Sequence, residues 1–266
     1  GGFLVAIIGA TTTAIAQGRT PIAEPSPTPS IYEYDDDDLG PSQVYWVDEF
    51  GTLDPLPAAG SREEKVWLTF LRVASLKFAA KVIADYTVGD NPRSDTLAYV
   101  AKYEDSPYWT LAVNLDGSDQ PEVLIPTLVH EYAHLLSLGR DQMTGSSDDC
   151  ETIDLYEGCL REEAWLWQFS EIFWSDYDDA PDPENSDWDV TDPFYAEHED
   201  DFVSDYAATN VIEDFAESFM VYVIEDAPIG DSVAAEKLRF FEAIPEFAAI
   251  RDRLRAEFAS DLGIVP

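Results

Sequence analysis

The sequence predicts an α+β fold, with strands gathered in the first half of the chain and helices in the second. Three observations point that way. Short β-branched and aromatic runs at Val44-Tyr45-Trp46-Val47, Leu97 to Ala101 and Trp109 to Asn114 read as strands. Apolar residues recur at helical spacing over Ser61 to Tyr86 and over most of the chain after Phe202. Between these regions the apolar stretch Leu124 to Leu138 carries its polar residues a helical turn apart, which predicts a helix buried in the core.

A chain of 266 residues suits one domain, or one domain with a tail. Residues 1–16 read as the remnant of a signal peptide, because Phe3 to Ala16 is apolar or small and ends in Ala14-Ile15-Ala16 before Gln17. Export follows as the expected destination, secreted or extracytoplasmic, with a retained N-terminal membrane anchor as the alternative. Residues 17–43, rich in Pro, Ser, Thr and Asp, read as a disordered tether that buries too little apolar surface to offset its ordering entropy. The run Asp35-Asp36-Asp37-Asp38 lacks the spaced ligands of a calcium loop and reads as solvated. The folded domain is expected over 44–266, with an insertion at about 140–201.

Charge narrows the partners. With 54 acidic against 15 basic residues the chain carries −39, so it repels nucleic acid and anionic lipid. High salt and simple loop composition are alternative sources of this acidity. No stretch other than the N-terminal one approaches transmembrane length. Cys150 and Cys159 are the only cysteines, and in an exported chain they are expected to pair and close a short acidic loop.

Each element has its own justification. Ser61 caps one long helix to Tyr86, with Glu63 and Glu64 in the first turn. The strands Leu97 to Ala101 and Trp109 to Asn114 are joined by a turn at Asp105-Ser106-Pro107. Pro126 is tolerated only in a first turn, so the following helix is expected to begin near Ile125, with Pro121 to Leu124 either a separate turn or a kinked extension, and Gly139 ends it. The insertion holds the cysteines, an aromatic helix from about Arg161 to Tyr177 and the acidic stretch Asp178 to Asp201. Helices then run over Val211 to Ile224, Ser232 to Ala243 and Pro245 to Ala259. His198 sits among acids outside any metal spacing and is left unassigned.

The buried helix contains Val129-His130-Glu131-Tyr132-Ala133-His134-Leu135, an HExxH pattern that takes two of the three histidines. Four positions rotate by about 400° on an α-helix, so His130 and His134 point the same way, about 6 Å apart along the axis, and can share one metal ion. Glu131 is offset by about 100° and can take the proton of a metal-bound water. So short a pattern also arises by accident, and the reading needs a third ligand. Glu213 and Glu217, one turn apart on the helix from Val211, offer one ligand and one carboxylate that could accept the N–H of a ligating imidazole. Glu213, the earlier, is the expected ligand. Its alternative is an ordinary capping-box residue behind Asn210; that of Glu217 is a solvated acid.

The HExxH helix, Tyr206 seven positions before Glu213, the segment Glu213-Asp214-Phe215-Ala216-Glu217-Ser218-Phe219, and the charged Ala235-Glu236-Lys237-Leu238-Arg239 together resemble the catalytic domain of the anthrax lethal factor family of zinc metallopeptidases, a gluzincin branch. The match covers Leu124 to Gly139 and Phe202 onward, and neither the insertion nor the N-terminal third. The resemblance implies a zincin-like fold: a small mixed sheet over the HExxH helix, and a helical C-terminal subdomain across a cleft. It implies one catalytic Zn2+ held by His130, His134 and Glu213, with Glu131 as general base, Tyr206 as donor to the oxyanion and Glu217 behind the ligands. The expected activity is hydrolysis of peptide or protein substrates, and the sheet edge beside the metal could take an extended peptide as an added strand. The rival readings are an inactive relative that binds a partner, and an acidic cation-binding surface protein with an accidental HExxH.

Overall fold

A computed structural model describes residues 33–36, 38–103, 106–145, 149–226 and 230–265. The expected signal-peptide remnant and most of the tether lie outside the described residues. The architecture is α+β. Strands β1 (Glu33–Asp36), β2 (Gly40–Val47), β3 (Leu53–Asp54), β4 (Ile83–Gly89), β5 (Ala98–Lys102) and β6 (Trp109–Asn114) form one mixed sheet. Its order is β1-β2-β4-β6-β5, with β3 pairing to the far end of β2. Only β4 and β6 run parallel; the other neighbours are antiparallel.

Two expectations are corrected here. Strand structure begins before Val44, since β2 starts at Gly40 and pairs with β1 inside the segment read as tether. The single helix expected over Ser61 to Tyr86 is three elements: α1 (Arg62–Ala74), α2 (Leu76–Val82) and β4. Ser61 does cap α1, its side chain accepting from the Glu64 N–H. Ser75 then breaks the path with φ of 73°, a left-handed conformation that ends one helix, while its side chain accepts from the Phe78 N–H and starts the next. Beyond Val82 the chain is buried along nearly its whole length, as a central strand covered on both faces must be.

Helix α3 (Pro121–Ser137) starts earlier than Ile125. Pro121 takes the first helical position, where a missing N–H costs nothing, and Gln120 O accepts from Val123 and Leu124. Pro126 is therefore inside the helix. Nearly every residue from Leu124 to Ser137 is buried, because α3 lies between the sheet and the C-terminal helices.

The insertion is structured. Strands β7 (Met143–Thr144), β8 (Asp154–Leu155) and β9 (Gly158–Leu160) form a small sheet of order β7-β9-β8, and the disulfide Cys150–Cys159 is present. The aromatic helix is shorter than expected, α4 (Trp165–Phe173), and the acidic stretch contains a further helix, α5 (Trp188–His198). Helix α6 (Val211–Ile224) has the expected bounds, followed by α7 (Val233–Glu242) and α8 (Pro245–Leu262). Phe169, Phe215, Phe219, Phe241 and Phe247 are fully buried and meet edge to face, tying α4, α6, α7 and α8 together. Beside them Lys237 lies fully buried with its Nζ 2.7 Å from Asp214 Oδ2, donating also to Asp201 O at 2.8 Å. Among the described residues no helix is long and apolar enough to cross a membrane.

Candidate metal centre

Helices α3 and α6 pack against each other, and the site lies where they meet. His130 and His134 share one face of α3, their Nε2 atoms 3.0 Å apart. Glu213 Oε2 comes from α6 and lies 3.1 Å from His130 Nε2 and 3.4 Å from His134 Nε2. Ligands at ~2.0–2.1 Å from a tetrahedral ion stand roughly 3.3 Å from one another, so this donor set has the spacing that one small divalent cation needs. A third donor arriving from another helix is what the bare HExxH pattern lacked.

Asn210 does cap α6, its Oδ1 accepting from the Ile212 and Glu213 N–H groups at 2.8 and 2.9 Å. Glu213 is thus at the capping-box position by backbone, while its carboxylate faces the imidazoles. One turn on, Glu217 Oε1 sits 2.8 Å from His130 Nδ1, and Ser204 Oγ donates to Glu217 Oε2 at 2.7 Å. His134 has no counterpart: its Nδ1 is buried without a hydrogen-bond partner among the described residues.

The charges follow from this crowding. Burial disfavours the charged form of His130, but its hydrogen bonds to Glu213 and Glu217 override that and push its pKa up to about 10. Burial likewise opposes ionisation of Glu213, yet the nearby His134 and His130 hold its carboxyl well below the usual range, and Glu217 is lowered by its hydrogen bond to His130. Glu131 is only 5% exposed and its pKa is raised, chiefly by burial, against the pull of both imidazoles. The Tyr206 phenol is pushed far up by burial and by the charges of Glu213 and Glu131, so it keeps its proton. Its ring centroid is 5.9 Å from that of His130. All six residues singled out in the sequence are therefore gathered at one place.

Two hollows, of about 470 and 410 Å³, share Ala98, His130, Glu131, Trp188 and Tyr206 in their walls and form a cleft over the site. Several wall residues were not foreseen. Trp188, at the start of α5, stacks near Tyr206 with ring centroids 6.4 Å apart. Asn185 is clasped to the turn before α6: its Nδ2 donates to Thr209 O at 2.9 Å, and Asn210 Nδ2 donates to Asn185 O at 2.9 Å. Glu157, at the tip of the β8–β9 hairpin, lines the cleft with its pKa raised by burial and by Glu184. Ser204, which donates to Glu217 from outside the walls, was not foreseen either. None stood at a motif spacing, and only their proximity in the fold reveals them.

A second group, Asp179, Glu197 and His198, also brings possible ligand atoms within 4.8 Å of one another, with both acids exposed. His198 Nε2 is 3.5 Å from Asp179 Oδ1. No family model matches the chain, and neither the curated proteins nor the solved structures contain a match to it.

Proposed function

We propose that this protein is an exported zinc-dependent peptidase of gluzincin type, with a zincin-like fold and a relationship to the lethal factor family. The observation that carries the reading is the Glu213 carboxylate within 3.4 Å of both imidazole Nε2 atoms, across two helices far apart in sequence. Two nitrogens and one carboxylate oxygen suit zinc and leave a further position open. The disulfide is consistent with an oxidising compartment.

A zinc ion held by His130, His134 and Glu213 would supply Lewis acidity, lowering the pKa of a water towards ~7 and polarising the scissile carbonyl. Glu131 takes the proton of the attacking water and returns it to the leaving amine; its burial raises its basicity for the first step. Tyr206, protonated throughout the neutral range, donates to the carbonyl oxygen as negative charge builds there. Glu217 accepts from His130 Nδ1, leaving Nε2 to face the ion.

The substrate backbone has a place as well. Strand β5 is the sheet edge beside α3. Asn114 N donates to Leu97 O and Tyr103 N to Tyr108 O, so by antiparallel alternation the outward backbone groups are those of Ala98, Val100 and Lys102. An extended peptide can pair with this edge beside Glu131, whose carboxylate faces the Val100 N–H. The test is Glu131→Gln. It should abolish hydrolysis of a broad peptide mixture while one zinc per chain remains; full activity in that variant removes the mechanism, and a wild-type protein with no stoichiometric zinc removes the reading.

A further inference from the structure

Adjoining the metal cleft is a third hollow, of about 900 Å³, which shares Trp109, Leu138 and Glu157 with it. Its walls carry Lys102, Arg140 and Arg161, one cation each from the end of β5, the turn after α3 and the segment after β9. The chain has 15 basic residues against 54 acidic ones, yet among the described residues lining this hollow three cations face two carboxylates, Asp141 and Glu157.

Of the other described arginines, all but the exposed Arg93 are engaged. Arg62, Arg72 and Arg255 pair with carboxylates, and Arg239, Arg251 and Arg253 donate to backbone carbonyls. The guanidinium groups of Arg140 and Arg161 have no hydrogen-bond or ion-pair partner among the described residues. Lys102 Nζ donates to Glu157 O at 2.8 Å, which fixes the amine at the junction of the two hollows and leaves further donors to spare. In so acidic a chain, unpartnered guanidinium forks beside an active cleft are poised to receive an incoming anion, and a carboxylate matches their geometry.

We infer that this hollow is a specificity subsite that binds a carboxylate of the peptide substrate, either an acidic side chain or the C-terminus. The inference rests on the peptidase reading above. Lys102 lies two residues along β5 from Val100, whose backbone N–H is near enough to the Glu131 carboxylate to help lower its pKa. At a strand rise of ~3.4 Å per residue, a peptide paired to β5 would carry the carboxylate roughly two to three residues from the bond being cut. The hollow would then select one acidic position within a field that repels anions generally, so that selection depends on the peptide's register.

The experiment uses zinc-loaded full-length protein and a neutral parent peptide that it cleaves. Glutamate is placed singly at each of the four positions on either side of the cleaved bond, and the parent is also compared with free and with amidated C-terminus. One glutamate position, or the free terminus, should raise kcat/KM at least tenfold, and the two arms tell which source of carboxylate is used. In Arg140→Ser/Arg161→Ser the ratio of acidic to neutral kcat/KM should fall to about two or less with zinc content retained, and in Arg140→Lys/Arg161→Lys it should partly recover. No gain at any position or terminus, or a gain that survives the serine pair, overturns the subsite. If no peptide is cleaved, the peptidase reading fails separately. The subsite is then read by calorimetry of acetyl-Glu-Glu-amide against acetyl-Gln-Gln-amide, where equal binding overturns it.

Discussion

Glu217 Oε1 lies 2.8 Å from His130 Nδ1, on the side of the ring away from Glu213, which lies 3.1 Å from Nε2. One imidazole is thus held between two carboxylates that stand one turn apart on a single helix. This fixes the ring's orientation before any ion arrives. Replacing Glu217 by Gln keeps the shape but weakens the acceptor. Zinc affinity, measured by competition with a chromophoric chelator, should fall about 10- to 100-fold; an unchanged affinity would mean the contact is incidental.

Stability should also respond to this arrangement. In chelator-stripped protein the pKa of His130 is raised from 6.5 to about 10. A folded-state pKa above the unfolded one adds stability that is full below about pH 6.5 and is lost as the pH rises through about 10. Glu213 and Glu217 have depressed pKa values, so their contribution is present above the ordinary carboxylate range and lost on acidification. Urea midpoints in chelator should therefore decline between pH 6.5 and 10. With zinc bound the proton is displaced, and the decline should vanish. A flat curve in chelator would contradict the assignment.

Tyr206→Phe removes only the hydroxyl. If that group meets the oxyanion, kcat should drop on the order of 10²- to 10³-fold while zinc content stays the same. A loss confined to KM would assign Tyr206 to substrate binding alone.

Behind the site, Asp214 Oδ2 accepts from Trp174 Nε1 at 2.7 Å, and Oδ1 accepts from Ser218 Oγ at 3.0 Å, beside the fully buried Lys237. Lys237→Met would leave a buried carboxylate without its cation and should cost about 3–5 kcal/mol in urea unfolding. Asp214→Asn in the same chain should restore part of that. Because Asp214 neighbours Glu213 on α6, the single variant should also weaken zinc binding.

Much of this was legible in the sequence where one period dominated. Trp109 to Asn114 and Val211 to Ile224 have the expected bounds as strand and helix. The first half of β4, Ile83 to Tyr86, is expected as helix because a strand buried on both faces is a short, nearly continuous apolar run, which periodicity cannot tell from a buried helix. The break before it rests on one residue, Ser75, whose left-handed backbone leaves no mark in composition. At the site, His130, Glu131 and His134 stand in one turn and are visible locally. Glu213 and Glu217 were singled out by helical spacing and resemblance, and their approach to the histidines depends on how α3 and α6 pack. Asn185, Trp188 and Ser204 carry no local signal, since their partners Thr209, Tyr206 and Glu217 meet them only in the fold.

The central claim is that one ion is shared by two imidazoles and a carboxylate from a second helix. Anomalous diffraction at the zinc edge, on crystals of protein stripped with chelator and reloaded with one equivalent of zinc, tests it directly. The account predicts a single strong peak within ~2.0–2.2 Å of His130 Nε2, His134 Nε2 and a Glu213 oxygen. A peak at Asp179, Glu197 and His198 with none between α3 and α6, or no ordered zinc at all, would contradict it.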